Sequence, residues 1–356
     1  ALADVDAPET QESMFRTDGR VSLRSSIALG SALTLRPSFT ARRTDWNARQ
    51  DPDTRARIEA PISRQLFEAQ VALSGPVFSR IYNMEGNAWV ERVKHLIEPS
   101  ITVRRVSAFE AFDEVIPLDP GVDNIVGGVT QISYGVRNTI LARVRQREGE
   151  SEVRPLATLD VRQSYYSDES AAQYDGLSNT SFGPQYTLLP PPGKFTPWRV
   201  SLNLTPAATV GADFGFEYDT QFKAVRSYSA SARVTQPAVE FSGSWNKQQV
   251  IPGLLNYSDP RYANHSLTFS GRLKKPEGGA SIAYSTAVDI LNNRFLQHRF
   301  GAFYNAQCCG IAMDYVVANY SHLGFRNDKR FSLSFSLAGI GTFVNPLGVF
   351  GNNGRQ

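Results

Sequence analysis

Alternation of apolar and polar residues with a period of two recurs along almost the whole chain, and it restricts the fold more than any other feature. Trp198, Val200, Leu202 and Leu204 are separated by Arg199, Ser201 and Asn203, and Phe331, Leu333, Phe335 and Leu337 by Ser332, Ser334 and Ser336. Leu33, Leu35, Pro37, Phe39 and Ala41 alternate likewise with Thr34, Arg36, Ser38, Thr40 and Arg42. Successive side chains of a strand point to opposite faces, so each run has one apolar face and one carrying charge, hydroxyl or amide. No comparably long stretch places apolar residues at i, i+3, i+4 and i+7, and the chain reads as all-β.

The runs define strands near 20–29, 32–45, 64–73, 77–83, 89–106, 128–145, 154–167, 198–206, 208–219, 222–234, 237–249, 263–273, 278–290, 293–306, 308–320 and 328–340. That is about sixteen strands, many of them near ten residues or longer, the length a tilted strand needs to cross a bilayer. From Trp89 onward long connections, near 107–127, 168–197 and 250–262, alternate with tight turns at Pro206-Ala207, Thr235-Gln236 and Ala306-Gln307. The turns near Thr220 and Asn292 are short where the alternation asks for long ones. Before Trp89 the alternation breaks, because the polar stretch from Asn47 to Pro61 is long where a short turn is due. Pro76, Pro99, Pro237 and Pro346 are expected at strand boundaries, where no ladder hydrogen bond is lost.

An antiparallel transmembrane β-barrel fits this pattern, and the bulk composition does not oppose it. With 37 Lys+Arg against 34 Asp+Glu, a net charge of +3 and a mean hydropathy of -0.29, the chain has the averages of a water-soluble protein. A barrel wall produces the same averages by cancelling an apolar face against a polar one. Near-neutral charge gives no footprint for nucleic acid, and the absence of an 18-residue apolar run excludes a helical span. The chain opens on Ala1 without a basic segment followed by an apolar one, so excision from something longer is expected.

Three passages resemble the barrel domain of the LptD family, outer-membrane proteins that place lipopolysaccharide in the outer leaflet. The first is His95-Leu96-Ile97-Glu98-Pro99 with the strand Ser100 to Val106. The second is the run from Asp123-Asn124-Ile125 to Tyr134-Gly135-Val136-Arg137-Asn138. The third, and most specific, is Tyr304-Asn305-Ala306-Gln307-Cys308-Cys309-Gly310-Ile311-Ala312. The similarity runs from about Trp89 to Gly351.

Read without the family, adjacent cysteines in an extended strand point to opposite sides, so a bond between Cys308 and Cys309 is not expected. They are either inert buried thiols or thiols whose partners lie elsewhere, since the sequence has no third cysteine. The resemblance implies the second: in the family the pair is joined to cysteines of an amino-terminal periplasmic domain. It also implies a Gram-negative outer-membrane location and a barrel of about twenty-six strands. Residues 1–356 would then be the carboxy-terminal portion, with the periplasmic domain and first strands preceding Ala1. The strand from Phe331 to Gly341, with Phe331, Leu333, Phe335 and Leu337 on one face, resembles the last strand, one side of a lateral gate. The implied partners are lipopolysaccharide, an LptE-like lipoprotein plug, the periplasmic bridge protein LptA and, during folding, the barrel-assembly machinery.

No catalytic, cofactor or metal site is expected. His95, His265, His298 and His322 are scattered without metal-ligand spacing, and Asn264-His265-Ser266 reads as a polar strand start rather than part of a hydrolase triad. Asp213 and Glu217 share a strand face, as the lumen side of any barrel would show. Basic residues are 30 Arg and only 7 Lys. Arginine suits phosphate by bidentate contact, although genome composition is the stronger explanation of the skew. Arg36, Arg42, Arg199, Asn203 and Arg272 are the expected lumen-facing polar residues. The alternative function is a diffusive porin of about sixteen strands.

Overall fold

The computed structural model describes residues 14–343 except 88, 146–149, 176–191, 255–263, 276–278, 307, 320–325 and 338–340. His322, Pro346 and the end of the family resemblance at Gly351 lie outside the described residues. The chain begins with β1 (Arg16–Arg24), β2 (Ile27–Leu29), β3 (Leu33–Trp46), the short β4 (Arg49–Gln50) and β5 (Arg57–Ile58), β6 (Ile62–Ser74) and β7 (Phe78–Asn83). It continues with β8 (Val90–Val106), β9 (Thr130–Arg145), β10 (Ser151–Tyr166), β11 (Trp198–Ala207), β12 (Val210–Asp219), β13 (Ala224–Thr235) and β14 (Val239–Gln248). Last come β15 (His265–Lys274), β16 (Ala280–Asp289), β17 (Arg294–Asn305), β18 (Cys309–Ala318), β19 (Asp328–Leu337) and β20 (Gly341–Phe343). Helix is confined to a 3-10 turn at Phe112–Glu114 and two single turns, α1 (Pro120–Asp123) and α2 (Glu169–Ala172).

All strands except β4 and β5 belong to one antiparallel sheet of eighteen segments, each paired mainly with its neighbour in sequence. Two pairs of segments lie end to end. β1 and β2 both run along β3, and β6 and β7 both run along β8. The sheet is therefore an up-and-down meander of sixteen continuous strands.

This geometry corrects the reading before Trp89. The runs 64–73 and 77–83 are not two strands joined by a turn but one line interrupted at Gly75-Pro76-Val77. Counting them once puts the 47–61 segment on the same end of the sheet as the long connections at 107–129 and 167–197, which removes the break before Trp89, while the joins at 220–223 and 290–293 on that end remain short. Pro99, expected at a strand boundary, lies inside β8. Its carbonyl accepts from Gly75 N at 2.9 Å, so its missing N–H faces the same interruption, where a ladder bond is absent in any case. Gly75 has φ +101°, and a Cβ there would meet the Ala32 carbonyl oxygen at 2.3 Å.

Of the strand expected at 328–340, residues 338–340 lie outside the described residues. β19 is described over Asp328–Leu337, and Gly341, assigned to it from the sequence, opens β20, which pairs back onto Phe335–Leu337. At the opposite edge β1 and β2 pair with β3. Among the described residues the registers of β1 and β2 run along β3 and that of β20 along β19.

Register aligns residues of one kind into rows across the sheet. Leu159, Leu202, Phe214, Ala230, Trp245, Leu267, Val288 and Phe295 are successive cross-strand partners from β10 to β17. One residue along each strand, Thr158, Asn203, Asp213, Ser231, Ser244 and Thr268 form the matching polar row on the other face. The apolar face is the exposed one: Leu267 is 40 % and Phe331 62 % exposed. The polar face is where charged groups are covered, among them Arg64, Glu217, Asp219, Arg226, Arg299 and Asp314. A β-sandwich in water has the reverse arrangement. Conventional apolar cores are small, such as Val129 with Tyr166, Ala171 and Ala172, and Ile251 with Leu254.

Candidate functional site

The candidate site is the polar face. Continuous cross-strand partnership places all five lumen-assigned residues, Arg36, Arg42, Arg199, Asn203 and Arg272, on it. Four of them have neighbours that explain their place. Arg42 donates Nε and Nη2 to the two carboxylate oxygens of Asp18 at 2.8 and 2.9 Å. Arg199 donates to Glu217, whose other oxygen accepts from Ser227. Asn203 Nδ2 donates to Asp213, which also accepts from Ser231. Arg272 lies 3.8 Å from Glu240 and 5.7 Å from the centroid of the Phe303 ring. Arg36 borders a cleft of about 430 Å³ with Glu98, Arg137, Asp160 and Arg162. Charge on this face is thus mostly paired across strands, as a carboxylate and a guanidinium must be where water is restricted.

The long-connection end is partly closed by segments that fold over the polar face. Their anchor is Asp123, 1 % exposed, at the end of α1. Its carboxylate accepts two bonds from Arg16 Nη1 at 2.9 and 2.8 Å, and bonds from the backbone N–H groups of Leu118 and Asp119. Arg64, also 1 % exposed, donates to the carbonyls of Asp123 and Val122 and lies under the Trp46 ring, 5.1 Å from its centroid. This fixes the 107–129 segment to β1, β3 and β6. Gln50 adds a bond to the Asp113 carbonyl, and Arg49 pairs with Glu114. Tyr174 packs edge-on to Phe112, and its burial, aided by Asp113, pushes its phenol above the usual range.

The sequence pointed to Asp123 only as the opening of a family-like passage and did not single out Arg16 or Arg64. The local sign was available: an aspartate four residues after Asp119 accepts its N–H, as in a turn or cap. Its arginine partners are 107 and 59 residues away and carry no local signal.

Cys308 and Cys309 are free and exposed, at the tight-turn end of the sheet, where Ala306 N donates to the Cys309 carbonyl. Gln307 lies outside the described residues. Their sulfurs are 3.2 Å apart, which corrects the expectation of opposed side chains. Strand geometry starts only at Cys309, so Cys308 sits in a bend to which alternation does not apply. Buried inert thiols are excluded by the exposure.

Phe331, Leu333, Phe335 and Leu337 all point to the exposed face of β19. His265 accepts a bond from Trp245 Nε1 at 3.0 Å and shares the outward face, so Ser266 is on the opposite side and the pair cannot act together. No cluster of three metal-ligating side chains exists among the described residues. No family model matches the chain, and no curated protein matches it in sequence.

Proposed function

We propose that the chain is the carboxy-terminal portion of an outer-membrane β-barrel of the LptD type, which inserts lipopolysaccharide into the outer leaflet. The observation that carries the reading is the inversion of the two faces. Rows of Leu, Phe, Val and Trp run along one side, with Phe214, Leu267 and Phe295 exposed, and paired charge and hydroxyl are gathered on the other. An exposed apolar surface of that extent requires an apolar neighbour, and alternating strands of about ten residues supply a lipid-facing wall with a hydrated interior.

One further feature favours a lipopolysaccharide translocon over a porin. In this reading the tight-turn end is periplasmic, so the exposed adjacent thiols there would be within reach of a periplasmic domain. In this reading the sugar moiety travels along the polar face while the acyl chains leave through the wall beside Phe331, Leu333, Phe335 and Leu337. An LptE-like plug and the bridge protein LptA would serve it, the barrel-assembly machinery would fold it, and energy would be supplied from outside.

The test is site-specific photocrosslinking in Gram-negative cells producing the protein. Probes at Asn203 and Ser244 should capture lipopolysaccharide, and a probe at Leu202 should capture phospholipid. Absence of lipopolysaccharide from every position, together with steady ion conductance by the purified protein, would replace the translocon with a porin.

A further inference from the structure

The inward-folded segments and the first six continuous strands border an open cavity of about 390 Å³, within the range of small-ligand sites. Register assembles its polar lining. Arg24, Arg104, Gln131 and Tyr166 belong to one cross-strand row, continued between Arg24 and Arg104 by Ser38 and Gln70, and Arg20 pairs with Arg42 four residues further along β1. Four guanidinium groups, from Arg20, Arg24, Arg42 and Arg104, therefore border one space.

Two of these are already neutralised. Arg42 is held by Asp18 and Arg104 by Glu68 at 2.6 Å. The remaining carboxylate on the lining, Asp175, accepts from the Tyr166 hydroxyl at 2.5 Å and from Gln131. Arg20 and Arg24 have no ion pair among the described residues. They occupy the same face of β1 on either side of Ser22, whose hydroxyl bonds Thr40 at 3.0 Å. Their Cα atoms are about 13 Å apart along the strand, a gap that two arginine side chains can close on a single group between them. The surplus is two positive charges presented as planar forks beside hydroxyl donors, which suits a dianionic tetrahedral oxyanion better than a carboxylate.

We propose that this cavity binds a phosphomonoester group, gripped between Arg20 and Arg24 over Ser22. The site deepens the transport reading, since it rests on a hydrated polar face, and it would hold either the phosphorylated sugar of a glycolipid headgroup or free inorganic phosphate.

Phosphorus NMR titration of the full chain in detergent distinguishes these. Inorganic phosphate and glucosamine 1-phosphate are the probes, and excess unphosphorylated glucosamine, added as a competitor that should not displace them, is the control. Both phosphates should broaden on binding. Tighter binding of the sugar phosphate identifies a headgroup as the source, and equal affinity identifies free phosphate. R20Q/R24Q should weaken binding by about tenfold or more. R20K/R24K, which keeps the charge but loses the forks, should fall between. R105Q, on the opposite face of β8 from Arg104, should bind as the native chain does. The proposal is overturned if R20Q/R24Q binds like the native chain while its protease digestion pattern is unchanged, or if R105Q loses as much as R20Q/R24Q. Phosphate binding by a chain that captures no lipopolysaccharide in cells would keep this site and remove the transport reading.

Discussion

The polar face has two halves built on the same backbone pattern but with different chemistry. From β1 to β12 it carries dense arginine–carboxylate pairing, is covered by the 107–129 segment and α2, and includes the irregular joins at Ser25-Ser26 and Gly75-Pro76-Val77. From β13 to β16 its middle is hydroxyl: Ser242 bonds Ser270 and Ser244 bonds Thr268, each at 2.7 Å, and the strand registers run without a shift. The apolar row from Leu159 to Phe295 runs on across the boundary between them. The outward row there is held constant, while the polar face is free to specialise. The first half can grip anionic groups, and the second offers uncharged donors and acceptors along which a polar chain can slide without a strong site.

The comparison can be broken at its anchor. Asp123→Ala leaves Arg16 without its carboxylate and the N–H groups of Leu118 and Asp119 without an acceptor, and should cost about 3–5 kcal/mol, read as a lower urea midpoint and new protease cuts within 107–129. A fall in stability without cuts there would mean that Asp123 does not anchor the segment. Second in size is Leu267→Arg on the outward row, expected to destabilise the folded protein in lipid by about 2–4 kcal/mol, with Thr268→Arg costing far less. Equal penalties at the two neighbours would contradict the assignment of faces.

Gly75→Ala comes next. With φ +101° and the Ala32 carbonyl 2.3 Å from the added carbon, it should cost about 1–3 kcal/mol and raise hydrogen exchange in β7 before the rest of the sheet. Smallest is the hydroxyl half. A double-mutant cycle on Ser244→Ala and Thr268→Val should give a coupling of about 0.5–1 kcal/mol, and a much larger value would show that this region is also a gripping site.

Most of the fold was legible because a half-apolar strand writes its face assignment into every second residue. Arg199, Asn203 and Arg272 could be placed from their neighbours in the chain alone, and the registers agree. The sequence misled where one strand is interrupted: Gly75-Pro76 reads as a turn, and only pairing to β8 shows that the chain continues in the same direction. It also gave Pro99 a boundary it does not occupy, because the compensating gap lies on another strand. The Arg16–Asp123–Arg64 anchor was invisible for a related reason, as its members meet only after the meander has formed and the long connection has folded back. Cys308 and Cys309 were singled out as a pair, but their geometry depends on where the strand starts.

The central claim is that the exposed apolar face contacts lipid and the polar face contacts water. Spin labels placed one at a time along β12 and β15 in a bilayer measure it directly, by relaxation with oxygen against a water-soluble nickel complex. Labels at Phe214, Phe216, Leu267 and Phe269 should favour oxygen, and labels at Asp213, Gly215, Thr268 and Ser270 should favour nickel, with a period of two. Uniform nickel access at all eight positions would contradict the account.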